Sequence, residues 1–110
     1  MIDKREVFSE VDQQLANFAK ALSHPARVSI MRFLSEQKSC MCGDIVEVLP
    51  LAQSTVSQHL KELKQAGLIQ GSIEGNTSCY CINPEQFELL KNMLSTFTKE
   101  IEFSHQINCC

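Results

Sequence analysis

Pro50 divides what would otherwise be one apolar stretch, and this division constrains the fold more than any other feature. Before it, Ile45, Val46, Val48 and Leu49 mark a short helix over about 43 to 49, with Cys40-Met41-Cys42-Gly43 as its lead-in. Pro50 disfavours helical backbone at the residue before it, so that helix must stop there. Pro50-Leu51-Ala52-Gln53 reads as a tight turn. Beyond the turn, Val56, Leu60 and Leu63 recur at helical steps and predict a second helix from Ser54 to Gln65. Thr55 and Gln58 have capping-box spacing, and Gly67 stands where a C-terminal cap glycine belongs. Two helices joined by so short a turn must cross at a steep angle, as in a helix-turn-helix.

The flanking segments complete one domain. Val7, Val11, Leu15, Phe18 and Leu22 predict a first amphipathic helix over about 4 to 22. His24-Pro25 restarts the chain, with His24 as a cap and Pro25 at the first helical position. Val28, Ile30, Met31, Phe33 and Leu34 predict a more buried helix to about Glu36. After Gly67, two strands are expected at Leu68–Glu74 and Ser78–Ile82, turning at Gly75-Asn76. Asn83, Pro84 and Gln86 start a last helix carrying Phe87, Leu90, Leu94, Phe97 and Ile101, the spacing of a helix-pairing seam. The expected fold is mainly α with a β-hairpin wing, a winged helix-turn-helix over 1–103, followed by a loose cysteine-bearing tail over 104–110.

The second helix of a helix-turn-helix enters the DNA major groove by its N-terminal end. Its outward residues here are Gln53, Ser54, Thr55, Ser57, Gln58, His59, Lys61 and Lys64, and Asn76 stands at the wing tip. Hydroxyls and amides reach base edges, and lysines neutralise phosphates. The net charge of −3 is unusual for a DNA binder, so the case rests on the local pattern. The hairpin contains Glu74 and no Lys or Arg, which leaves phosphate neutralisation to Lys61, Lys64, Arg27 and Arg32. No motif of a thiol enzyme or phosphate-binding loop is found, and the reading is of a non-enzyme. The charged start and the lack of a long apolar run point to a cytoplasmic protein without membrane attachment.

Six cysteines fall in three close pairs: Cys40/Cys42, Cys79/Cys81 and Cys109/Cys110. In a reducing cytosol, metal binding or redox sensing is a better reading than structural disulfides. Cys40 and Cys42 diverge on a helix but face one way in an extended segment. Cys79 and Cys81 share one face of the wing strand, with Tyr80 and Ile82 on the other.

"LSHPARVSIMRFL" and "CMCGDIVEVLPLAQSTVSQHLKELKQAGLI" resemble the ArsR/SmtB family of bacterial repressors, over about residues 12 to 95. The resemblance implies a homodimer joined through its first and last helices, bound to double-stranded operator DNA and released by a metal ion. The Cys40-Met41-Cys42-Gly43-Asp44 run resembles the thiolate core of the family's arsenic sensors, with one extra residue before the aspartate. It implies As(III) or Sb(III) as inducer, held by Cys40 and Cys42. A third thiolate is expected from Cys109 or Cys110, with the wing cysteines as second choice. No cofactor is expected for folding. Peroxide sensing through the same thiols and capture of another thiophilic metal such as Cd(II) stand as alternatives.

Overall fold

A computed structural model describes residues 7–37, 40–42, 49–74 and 77–101. Helix α1 spans Glu10–Ala21 and α2 spans Pro25–Ser35. A two-residue strand, β1, follows at Met41–Cys42. Helix α3 covers Gln53–Gln65, strands β2 and β3 cover Ile69–Glu74 and Thr77–Ile82, and α4 covers Pro84–Glu100. The expected helix over 43 to 49, the wing tip with Asn76, and the tail with Cys109 and Cys110 lie outside the described residues.

Local chemistry sets most element ends. Ser9 Oγ accepts the Asp12 amide at 3.1 Å, so α1 begins at Glu10 rather than near residue 4. The Nδ1 atom of His24 accepts the Ala26 amide at 3.0 Å, ahead of Pro25. Asn83 caps α4 in the same way, through the Gln86 amide. The C-terminus of α3 is closed by a Schellman motif. Leu68 N donates to Leu63 O at 3.1 Å and Gly67 N to Lys64 O at 2.9 Å, with Gly67 at φ 85°. Only this glycine supplies the left-handed turn that sends the chain from helix into strand.

One expected cap does not form. Helix α3 starts at Gln53 with Ala52 as N-cap and no side-chain cap bond. The Leu51 amide is drawn back to Leu49 O at 2.8 Å, so the chain leaves the Pro50 turn already extended at Ala52. Gln58 instead donates to the Glu62 carboxylate at 3.1 Å.

The core forms where α1, α2, α3 and α4 meet the sheet. It contains Phe18, Ile30, Met31, Leu34, Val56, Leu60, Leu63, Leu68, Ile69 and Leu90. The sheet is antiparallel with order β1-β3-β2. Its third strand, β1, is absent from the sequence reading, which treats 40–43 only as a helix lead-in. Met41 pairs with Tyr80 and Cys42 with Cys79. Gly71 lies opposite Tyr80 on the other side of β3. A Cβ at Gly71 would stand 2.5 Å from the Tyr80 ring and 2.8 Å from Cys79 O. The close approach of β2 to β3 therefore needs a hydrogen at this position. Gly71→Ala is expected to destabilise the fold by about 1–3 kcal/mol in urea titration, as other overpacked sites do. An unchanged midpoint would show that the wing relaxes without cost.

Candidate nucleic-acid interface and thiol cluster

Helix α3 presents two opposed faces. Val56, Leu60 and Leu63 are 0–2% exposed, whereas Gln53, Ser54, Thr55, Ser57, Gln58, Lys61 and Lys64 are all solvent-exposed. The outward set matches the expected DNA-reading residues with one exception. His59 is 7% exposed and belongs to the inner face. It lies one turn after Val56 and one turn before Leu63, inside the arc that a helix of this width buries.

The buried ring of His59 is part of a polar joint between α2 and α3. Arg27 Nε donates to His59 Nδ1 at 3.1 Å. The same guanidinium donates to Lys20 O at 3.3 Å and Ala21 O at 3.5 Å, at the end of α1. Arg27 is thus occupied inside the domain and is not a free phosphate-neutralising group, unlike Arg32, which is exposed. The His24 ring lies over His59 with centroids 4.4 Å apart. The Nε2 atom of His59 is buried and has no partner among the described residues. Burial, reinforced by repulsion from His24 and Arg27, lowers the His59 pKa below the ordinary 6.5.

The cysteines converge differently from the sequence expectation. Cys40 and Cys81 are joined as a disulfide, with Cα atoms 4.5 Å apart. Cys79 is also disulfide-bonded, and its Cα partner across the ladder is Cys42. Cys79 and Cys81 share one half-buried face of β3, with β1 and its cysteines alongside. The two Cys-x-Cys motifs have the same spacing on antiparallel strands and are centred on one residue pair, Met41 and Tyr80. A Cα separation near 4.5 Å marks a narrow, non-hydrogen-bonded pair. Such pairs alternate along the ladder, so Cys42 and Cys79 form a second narrow pair. The equal spacing was the signal in the sequence, and it becomes legible only once β1 is known to be a strand.

The seam on α4 divides as well. Phe87, Leu94, Phe97 and Ile101 are 40%, 43%, 46% and 44% exposed, while Leu90 is 3% exposed and lies in the chain's own core. Val7, Phe8 and Val11 on the α1 side are exposed at 72%, 59% and 58%. Val11 and Leu15 share a groove with Met93 and Phe97, so α1 and α4 bear neighbouring apolar surface.

Residues 24–70 match the family described as "Bacterial regulatory protein, arsR family". The arsenical resistance operon repressor of Bacillus subtilis (strain 168) is 33% identical over 108 residues, covering 96% of this chain and 98% of that protein. The chain belongs to the ArsR family. The HTH-type transcriptional regulator YgaV of Escherichia coli (strain K12) is 33% identical over 73 residues, covering 66% of this chain and 74% of that protein. A crystal structure of an ArsR family transcriptional regulator has the same fold, with a TM-score of 0.70 at 20% identity, over 84% of this chain and 94% of its own. As an ArsR-family member with this winged helix, the chain is a DNA-binding transcriptional regulator, and its relatives are regulators rather than enzymes. No helix among the described residues is long and apolar enough to cross a membrane.

The joint at His59 has a definite pH signature. Its folded pKa is lowered, so the unfolded chain takes up the proton first as pH falls below 6.5. The contribution of His59 is full above that value and is lost as pH drops through the window beneath it. Thermal denaturation at a series of pH values from about 7.5 to about 5 is expected to show falling stability, with a shallower slope in His59→Gln. Equal slopes for the two proteins would remove His59 as the cause.

Proposed function

We propose that this ArsR-family protein is a homodimeric repressor that holds operator DNA until thiolates, Cys40 and Cys42 among them, capture As(III) or Sb(III). The observation that carries the DNA half is the polar outer face of α3 set on a fully buried inner stripe. Its first turn has no side-chain cap, so amide donors at its N-terminus are open to a phosphate. Ser54, Thr55, Ser57 and Gln58 stand near that end for base and sugar contacts, and Lys61 and Lys64 follow for the backbone. Asn76 belongs to the proposed wing contact.

The metalloid half rests on the extended strand at Met41–Cys42 and on the arsenical resistance repressor among the relatives. Residues two apart on extended backbone share a face, so Cys40 and Cys42 would offer their thiolates to one soft ion. Along the sequence, β1 is followed within seven residues by Leu49 and the Pro50 turn ahead of α3. Strain set up at the ion would then have a short covalent path to the start of the DNA-reading helix. A coupling of about 3 kcal/mol is enough to weaken operator binding more than a hundredfold.

The dimer reading rests on the apolar surface of α1 and α4. Phe87, Leu94, Phe97 and Ile101 on the α4 side and Val7, Phe8 and Val11 on the α1 side are large apolar side chains left exposed, and pairing of two copies would cover them. Two copies related by a two-fold axis would place two α3 helices on successive half-sites of a palindrome. Peroxide control through the same thiols is a second reading, favoured by the Cys40–Cys81 disulfide.

An operator fragment selected from a random duplex pool and followed by fluorescence anisotropy tests both halves. As(III) added to reduced protein is expected to raise Kd about a hundredfold, and Lys64→Ala to lower the salt slope by about one. Binding indifferent to As(III) and Sb(III) but abolished reversibly by peroxide would replace the first reading with the second. In sedimentation, Phe97→Glu is expected to shift dimer toward monomer and to weaken operator binding. A wild-type monomer at micromolar concentration would contradict the dimer.

A further inference from the structure

The strand pairing of β1 with β3 carries an inference beyond the Cys40–Cys42 reading, although it rests on that reading's thiophilic inducer. We infer that the inducer site lies within one chain, across the β1–β3 ladder, with the wing cysteines Cys79 and Cys81 supplying the thiolates that complete it.

Register is the first argument. The Cα pairing of Met41 with Tyr80 and of Cys42 with Cys79 makes Cys40 the partner of Cys81. Positions 40, 42, 79 and 81 then fall on one face of the ladder, since side chains alternate along each strand. Contact is the second argument. Cys40 and Cys81 are close enough to be bonded, and Cys79 is bonded too. Thiolates bound to one soft ion need sulfurs about 3.5–4 Å apart, given metal–sulfur bonds near 2.3 Å. Narrow antiparallel pairs bring side chains to that range without moving the backbone far. Access is the third argument. A cavity of about 660 Å³ reaches Cys40 and Cys81, walled by Leu22, Val28, Met31 and Phe87. A small neutral hydroxide such as arsenous acid fits it easily.

The same geometry makes the disulfide and the ion alternative occupants. A thiol reductant first opens both the Cys40–Cys81 bond and the disulfide that holds Cys79, each giving two thiols and leaving the reductant as its own disulfide. Arsenous acid then exchanges three As–OH bonds for three As–S bonds. Each thiol gives up its proton to the departing hydroxide, and three waters leave. Oxidised protein offers too few thiols at this site for that exchange. Response to the metalloid is therefore gated by reduction, and the site is complete without the tail or the partner subunit.

The test uses the reduced chain, with arsenite as the probe and three variants: Cys79→Ser with Cys81→Ser, Cys40→Ser with Cys81→Ser, and Cys109→Ser with Cys110→Ser. Two readouts are taken together, protection of thiols from Ellman's reagent and operator anisotropy. Arsenite is expected to protect about three thiols per chain in wild type and in the tail variant. Cys79→Ser combined with Cys81→Ser, which leaves two thiols at the site, is expected to need about a hundredfold more arsenite for release, the loss expected when a chelate loses one arm. Cys40→Ser combined with Cys81→Ser provides the same comparison if the double wing variant does not fold. Diamide-oxidised wild type is expected to leave arsenite unbound. A full arsenite response in the double wing variant, with loss of response in the tail variant, would overturn this inference and leave the metalloid-sensing repressor standing. Failure of reduced wild type to bind arsenite would overturn both.

Discussion

Burial of Val56, Leu60 and Leu63 against α2 and the start of the sheet is the interaction on which the rest depends. These side chains have no more than 2% of their surface exposed, and they share a core with Ile30, Leu34, Leu68 and Ile69. Removing one large aliphatic side chain from such a core costs about 2–5 kcal/mol, a large part of the stability of a domain this size. The same packing fixes the rotation of α3. Because the inner stripe cannot turn, the hydroxyl, amide and lysine face is presented outward as one surface. The Arg27–His59 hydrogen bond adds a directional restraint that apolar packing alone lacks.

Strand β1 links this helix to the cysteines. It is two residues long, too short to be stable alone, and it holds because it adds to the edge of a hairpin. It also leads into the segment before α3. One short element thus belongs to the wing by hydrogen bonding and to the helix-turn-helix by covalent connection. On the proposed reading, a ligand or bond that changes the β1–β3 spacing acts on the wing and the DNA-reading helix together, and in an acidic chain with few basic residues near α3 a modest displacement would have a large effect on binding.

Legibility in the sequence followed how local the deciding interactions are. The α3 stripe, the Gly67 turn, the His24 and Asn83 caps and the hairpin all depend on neighbours a few residues away, and all were read correctly. Apolar spacing at Val7 extends the expected α1 past the Ser9 cap that sets its actual start at Glu10. The Thr55–Gln58 capping box failed because the Pro50 turn set the helix entry first. The spacing puts His59 on the outward face and Leu90 on the pairing seam, whereas both are buried in the chain's own fold, because periodicity gives a helix face only to within a residue. The β1–β3 pairing joins positions about 40 apart, and no local pattern announces it. That pairing is what moved the expected partners of Cys40 and Cys42 from the tail to the wing.

The account joins a thiol site on the wing ladder to the orientation of α3 through the segment between them. Hydrogen–deuterium exchange on the reduced protein, with and without arsenite, tests that link most directly. The account predicts altered protection in peptides covering 40–42 and 77–82, together with altered protection in 53–65. Changes confined to 102–110, or release of DNA with no change in 53–65, would contradict it.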